Sequence, residues 1–261
     1  MLATHAMCIL MSTVKSDEHG PAATITKVMF LFYTPDIDVN PCLSETESQH
    51  ACRVLRLHAG DHIFHTDGRG TRYESEIINP HPKHCSLHII SRQQLPHPDF
   101  RIHIAIAPTK NIDRLEWMIE KCTEVGVDEI TPLLCRYSER RVVKTERLQK
   151  IMESAAMQSL KTYMPCLNEL TPIDDFLRSA QADQRFIAHC YEQQRTPLFH
   201  AVEKQRSTLV LIGPEGDFSE QEVQTAIQLG YRPVTLGNER LRTETAGLVA
   251  CHTIHIKNEY S

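Results

Sequence analysis

The chain has 261 residues, 41% of them hydrophobic and 23% charged, enough to bury at least one sizeable core. Its 28 Lys and Arg against 33 Asp and Glu give a net charge of −5, which excludes a uniformly basic nucleic-acid tail and leaves RNA or DNA open only through a local patch. No run of about 18 uncharged apolar residues exists, which excludes a membrane-spanning helix.

In chain order, Ala6–Met11 is apolar but short, lacks a preceding Lys or Arg and is followed at once by charged residues. It is not a signal peptide by pattern; residues 1–28 read as a disordered extension, with Met29 an alternative start. Short apolar runs follow at Val28–Tyr33, Asp61–His65, Tyr73–Ile78 and Ser86–Ile90, with Asp67-Gly68-Arg69-Gly70 between the second and third as a hairpin signal. These predict a small β-barrel or sandwich over 29–95. Ser44-x-x-Glu47 forms a capping box ahead of Ala51, Val54 and Leu55, so a helix is expected at Ser44–Leu57. The two prolines in Gln93–Asp99 mark a boundary.

From residue 99 to 261 strands alternate with helices, the pattern of a mostly parallel α/β sheet. Strands are expected at Arg101–Ala107, Glu129–Leu134, Arg185–Cys190, Thr208–Ile212 and Val234–Leu236. Helices are expected from an Asn111 cap to Gly126, at Glu146–Leu160, from the Ser219-x-x-Glu222 box to Leu229, and from Thr243 to Ile256. Trp117, the only Trp, is read as packing the first of these helices rather than stacking a base.

Two loops each follow an apolar strand and precede a helix, where open α/β sheets bind ligands. The first is Gly213-Pro214-Glu215-Gly216-Asp217, read from spacing either as a tight turn or as a loop whose free N–H groups favour an anionic or polar ligand. Asp217 is expected to act as a local cap. The second is Leu236–Arg242 running into Thr243-Glu244-Thr245-Ala246-Gly247, where Arg242 and Glu244 could form a surface ion pair. The chain has no G-x-G-x-x-G, no P-loop and no G-x-S-x-G elbow. Nine scattered Cys without a C-x-x-C pair fit a reducing cytoplasm rather than a disulfide framework or zinc site. His58, His62 and His65, and His81, His84 and His88, lack a completing carboxylate or Cys set and are split between strand faces, so no metal is expected.

The combination Leu211–Gly216, Leu236-Gly237 and Leu241–Ala246 resembles the C-terminal signature of the bacterial 16S rRNA (uracil-N3)-methyltransferase family of the SPOUT class. The resemblance extends to Lys110, Glu116–Val127, Ile130-x-Pro132-Leu133, Arg136-x-Ser138, Phe32-Tyr33, His50-x-x-Arg53-Val54-Leu55-Arg56 and Gly60-Asp61, and so covers nearly everything after residue 28. It implies a PUA-like RNA-binding barrel, a trefoil-knotted methyltransferase domain, a homodimer built on the knotted domains, and S-adenosylmethionine as methyl donor. The partner would be 16S rRNA within the small ribosomal subunit. Carried over residue by residue, the donor site would comprise His189, Ile212, Gly213, Glu215, Gly216, Leu236, Gly237, Leu241, Thr243, Thr245 and Ala246, with Ile212 and Leu241 sandwiching the adenine. Where many members carry Glu and Arg, this chain has Met157 and Lys161, leaving Gln158 and Lys161 as the residues of that segment available for a polar role.

On that reading Arg242 would stabilise the developing uridine anion and Glu215 or Glu244 would assist loss of the N3 proton. Arg136, Arg140, Arg141, Lys144, Arg147 and Lys150, with Lys110, Lys161 and the barrel residues Arg53, Arg56, Arg69 and Arg72, would form a phosphate track or a solvated helix face. The rival readings are a non-catalytic RNA-binding or ribosome-assembly module and a SPOUT enzyme acting on transfer RNA.

Overall fold

The computed structural model describes residues 30–192 and 194–260; the expected extension over 1–28 and the start of the strand expected at Val28 lie outside the described residues. The N-terminal part contains β1 (Leu31–Tyr33), α1 (Glu45–Gln49), a π-helical turn at His50–Val54, β2 (His62–Thr66), β3 (Thr71–Asn79) and β4 (Ser86–Gln94). β1 runs parallel to β2, and the β2–β3 and β3–β4 pairs are antiparallel. The segment after β1 crosses to the other edge of this sheet, where Cys42 bridges Ser86, Leu43 N–H donates to Cys85 O and Leu87 N–H donates to Pro41 O. Seven residues lie between Tyr33 on one edge and Pro41 on the other, enough extended chain to cross the four strands.

Phe32, Ile37, Leu43, Ile63, Tyr73, Ile77 and Leu87 fill its interior. The helix expected over Ser44–Leu57 is shorter and changes pitch: Leu55 N–H donates to His50 O, five residues back, and Arg56 at φ +53 ends the turn. The Ser48 hydroxyl explains part of the change, donating to Leu43 O and accepting from Cys85 N–H, so the helix is tied to the sheet edge rather than left to its own periodicity.

The C-terminal part contains, in order, β5 (Arg101–Ile106), α2 (Ile112–Val125), β6 (Glu129–Leu134), α3 (Thr145–Gln158), β7 (Cys166–Leu167), β8 (Thr171–Pro172), α4 (Ile173–Ser179), β9 (Gln184–Ala188), β10 (Thr196–Pro197), α5 (Leu198–Ala201), β11 (Ser207–Ile212), α6 (Glu220–Gln228), β12 (Arg232–Thr235) and α7 (Thr243–Tyr260). The strand order is β10-β12-β9-β11-β5-β6-β7, with β8 also on β6, and every pair is parallel. Alternation within β5 shows why both faces are covered. Ile102, Ile104 and Ile106 enter a core with α2, α3 and α7, while Ala105 and Ala107 enter a second core with α4 and α6. Leu115, Met118 and Ile119 of α2 are fully buried, each contributing roughly 1.5–3 kcal/mol of apolar burial.

The short elements between α3 and β11 escaped the sequence reading. Strands of two residues and helices of four and seven residues, entered through Pro172 and Pro197, are too brief for periodicity to show. Tertiary pairing makes them. Residues 162–164, just past α3, join the two parts: Gly70 N–H donates to Thr162 O at 2.9 Å and Met164 N–H to Gly68 O at 2.9 Å. A Cβ at Gly70 would lie 2.2 Å from the Tyr163 ring, so this contact requires glycine.

Candidate active site

Because the strands are parallel and in register, their carboxyl ends line up: Ile212 of β11 sits opposite Ala188 of β9 and Ile106 of β5, and Val234 of β12 sits opposite Ala188. The segments 107–111, 189–192, 213–218 and 236–242 therefore leave one edge of the sheet, the place where α/β sheets take ligands.

The loop after β11 is held from several sides. A Cβ at Gly213 would stand 3.0 Å from Phe218 N, so the chain folds tightly back on itself, closed by Asp217 N–H donating to Pro214 O at 2.9 Å. Asp217 caps no helix. Its carboxylate accepts from Cys190 N–H at 2.7 Å and Phe218 N–H at 2.8 Å, stitching the β9 loop to the β11 loop, and Ser219 with Glu222 makes the capping box. Buried Glu222 also accepts from Arg136 N–H at 2.7 Å, anchoring the loop after β6. Glu215 is exposed and accepts from Lys110 N–H at 2.9 Å, while Gly216 lies against Tyr137. In the next loop Gly237 has φ +135 and open space around it, with its carbonyl held by the Thr235 hydroxyl at 2.7 Å.

At the start of α7, Thr243 and Glu244 are buried, Leu241, Thr245 and Ala246 are half-buried and Arg242 is exposed. The ion pair expected between Arg242 and Glu244 is replaced by one from α2: Arg114 Nε lies 3.8 Å from Glu244 Oε1. Helix geometry explains the correction. Residues two apart point to different sides, so Glu244 turns into the interior while Arg242 stays at the rim. Glu244 Oε2 has no hydrogen-bond partner among the described residues. Beside it lies a pocket of about 620 Å³ whose lining includes Arg114, Trp117, Leu241, Arg242, Glu244 and Thr245. Trp117 is 41% exposed, so it does not pack into the core as expected; it faces this opening.

His189, at the end of β9, is 4% exposed, and neither ring nitrogen has a partner among the described residues. Its carbonyl accepts from the Arg195 guanidinium. Burial pushes the imidazole pKa down, with Asp217 opposing and Arg195 adding to the shift, so the ring is held neutral. A neutral, buried imidazole with two free nitrogens suits a polar ligand group. The open Gly237 corner and the half-buried side chains of Leu236, Leu241 and Ala246 provide an apolar and backbone-lined space beside it.

The basic residues separate into different roles. Arg53, Arg56, Arg136 and Arg141 are exposed, Arg136 lying over the Tyr137 ring. Arg140 is half-buried and donates to Thr109 O at 3.0 Å and Lys110 O at 2.6 Å, pinning the loop after β5. Lys110 itself pairs with Glu139 at 2.8 Å, and Arg147 with Glu116 through Nε–Oε1 at 2.6 Å. Residues 136–144 form a loop rather than the helix face that the charge run suggested. Lys161 stands apart from the other basic residues. It is half-buried, its Nζ near the Gly126 turn, and burial lowers its pKa despite Asp128 and Glu259 nearby.

Among the described residues no group of three or more His, Cys, Asp or Glu could hold a metal, and no helix is long and apolar enough to cross a membrane. Of the histidines expected to be split between strand faces, His65 is fully buried and His62 is exposed, 3.0 Å from Glu74, whereas His58, His81 and His84 lie outside the strands and the His81 and His84 rings sit together with centroids 4.2 Å apart. Sequence reasoning missed Arg114, Trp117 and Glu222 as site residues. The first two were detectable as an Arg and an aromatic one helical turn apart on α2, a pair without an apolar-stripe explanation.

Residues 96–255 match the family model described as an RNA methyltransferase domain, and residues 43–90 match one described as an RNA methyltransferase PUA domain. The "Ribosomal RNA small subunit methyltransferase E" of Synechocystis sp. is 30% identical over 230 residues, covering 84% of this chain and 74% of the relative. A structure described as a "probable rRNA-methyltransferase" from Porphyromonas gingivalis is 43% identical, with a TM-score of 0.84 over 88% of this chain and 98% of that one. A Legionella pneumophila chain solved in complex with the bound cofactor SAM is 26% identical, with a TM-score of 0.79 over 88% and 98%.

Proposed function

The chain belongs to the RNA methyltransferase family, and from that membership we propose that it transfers a methyl group from S-adenosylmethionine to N3 of a uridine in 16S ribosomal RNA. The observation that carries the reading is the meeting of the Gly213–Gly216 loop, the Leu236-Gly237 corner and the start of α7 on one sheet edge, beside the free His189 nitrogens. The residues at that edge fit the donor. Ile212, Leu236, Leu241 and Ala246 offer apolar contact, backbone groups of Gly213, Gly216 and Thr243 offer polar contact, and His189 offers an unused hydrogen-bonding ring.

When bound, S-adenosylmethionine supplies an electrophilic methyl group on a sulfonium. The chain's own residues prepare the acceptor. Uridine N3 carries a proton at neutral pH, so a carboxylate within reach, Glu215 or Glu244, takes it, and the exposed Arg242 guanidinium stabilises the negative charge that develops on the ring carbonyls. Holding the two reactants in line removes an entropic barrier on the order of 7–11 kcal/mol in favourable cases. Arg53, Arg56, Arg136 and Arg141 are exposed, which supports their following phosphates. Lys110 and Arg140 serve the docking surface indirectly, since each is bonded within the protein, and Lys161 is half-buried away from it.

With this reading come a cytoplasmic location, the small subunit as substrate, the division into a barrel at 29–95 and a knotted domain at 99–261, and a homodimer through the latter. The test is to incubate the protein and labelled donor with small subunits lacking the modification and to locate the methyl group. Label at a single uridine N3 is expected; no transfer to 16S rRNA would remove the proposal.

A further inference from the structure

We propose that the pocket between α2 and the start of α7 is the acceptor-base site, in which a uracil ring stacks on Trp117 while Glu244 Oε2 accepts the N3–H and Arg242 faces a ring carbonyl. The inference rests on the uridine-methylating reading above and makes a choice which that reading leaves open.

Three observations converge. First, Glu244 is 6% exposed and its Oε2 has no partner among the described residues, although it lines an open pocket. A buried carboxylate oxygen without a donor is costly, so the site is complementary to a ligand that brings an N–H. The Arg114 guanidinium stands on the side of the other oxygen, its Nε 3.8 Å from Oε1. Second, Trp117 presents a large aromatic surface to the same opening, 41% exposed where helix α2 otherwise buries its apolar residues. Stacking of a base on such a ring is worth roughly 1–3 kcal/mol. Third, the charges match one edge in particular. Uracil presents acceptor, donor, acceptor across O2, N3–H and O4, which fits one carboxylate oxygen flanked by guanidinium groups. Cytosine places a lone pair at N3, directly against Glu244.

Glu215 is the poorer proton acceptor of the two candidates, because it is exposed and its Oε1 is already bonded to Lys110 N–H. The N3 proton passes first to Glu244 Oε2, leaving an in-plane electron pair on N3 whose charge spreads to O2 and O4; that pair then forms the bond to the methyl carbon as the carbon–sulfur bond breaks and its electrons return to sulfur. The base reaches this pocket only when turned out of any stack, a cost of a few kcal/mol that is least in a single-stranded segment.

Trp117 is the sole tryptophan, so its fluorescence reads the pocket directly. Protein loaded with S-adenosylhomocysteine is titrated with three short single-stranded RNAs that differ only in one central base: uridine, N3-methyluridine or cytidine. The uridine strand should quench Trp117 and bind at least about tenfold more tightly than the other two, since each of those leaves Oε2 unpaired. Glu244→Gln should erase that preference and lower turnover on small subunits, and Trp117→Phe should weaken strand binding severalfold while S-adenosylhomocysteine affinity stays unchanged. Equal quenching by all three strands would overturn the assignment, as would none by any, the result expected if a second copy covers Trp117. Should Glu244→Gln fail to fold, the three-strand comparison with wild-type protein still decides. If wild-type protein methylates small subunits while Trp117 stays silent, only this assignment fails; if it does not methylate them, the function itself does.

Discussion

Two buried histidines, one in each part of the molecule, are treated in opposite ways. His65, inside the N-terminal sheet, has no exposed surface, and both of its nitrogens are bonded, Nδ1 to the Thr34 hydroxyl at 2.7 Å and Nε2 to the Ser75 hydroxyl at 2.7 Å. Its ring stacks on Tyr73 with centroids 5.0 Å apart. His189, at the sheet edge of the C-terminal part, is almost as buried, and among the described residues neither nitrogen is bonded. Buried polar groups are normally satisfied, so an exception marks a place where something other than the protein completes the structure. The first histidine holds a fold together; the second, with Glu244 Oε2, is left unsatisfied beside the edge proposed above to take ligands.

The contrast predicts that substitutions at the sheet edge cost activity and those in the N-terminal core cost stability. The largest effect should come from Arg242→Ala. Removing a positioned cation from a developing anion costs about 10²–10³ in turnover. Because Arg242 is exposed and accepts no structural burden beyond its carbonyl bond from Ala246 N–H, the melting temperature and donor affinity should stay where they are. Single-turnover methylation beside a thermal melt checks both halves. A variant that loses stability in step with activity would break the division.

Legibility followed the same division. Glu220–Gln228 was announced by its capping box and α2 by Asn111 and Gly126, because caps are local and local signals survive in sequence. The two ligand loops were visible as glycine-bearing turns between strand and helix. Glu244 was singled out, yet given the wrong partner, since Arg114 lies on a helix 130 residues away in the chain and no spacing rule reaches that far. The same holds for Asp217, whose bonds to Cys190 and Phe218 become visible only once β9 and β11 are neighbours. His65 and His189 look alike as sequence. What distinguishes them is whether Thr34 and Ser75 arrive beside one of them, which is a matter of strand pairing.

The next effect sharpens the stability side. Burial pushes His65 down to about 4, with Asp67 opposing, from an ordinary value near 6.5. The unfolded chain then binds a proton that the folded one refuses, so this stability is complete above about pH 6.5 and drains away as the pH falls toward 4. Between pH 7.5 and 5 the loss should be about 2 kcal/mol, before most carboxylates titrate. Urea unfolding at the two pH values measures it, and His65→Leu should remove that part of the slope while lowering stability at pH 7.5 by leaving Thr34 and Ser75 unpaired. An unchanged slope in the variant would mean that the ring is not the proton-refusing group.

The smallest effect is the most telling for the comparison, because it concerns the histidine that looks equally buried. His189 makes no hydrogen bond through its ring among the described residues, so replacing it by Leu removes an unsatisfied polar group and adds apolar contact. Stability should therefore stay level or rise slightly, the reverse of the response at His65. The ligand edge should register the change instead: a donor that uses one ring nitrogen loses about one hydrogen bond, worth roughly tenfold in affinity. Calorimetry with S-adenosylhomocysteine measures the second quantity and a thermal melt the first. A large drop in melting temperature with unchanged donor affinity would make His189 a second His65. The free nitrogens would then be satisfied by trapped water rather than by a ligand, and the asymmetry between the two parts of the molecule would vanish.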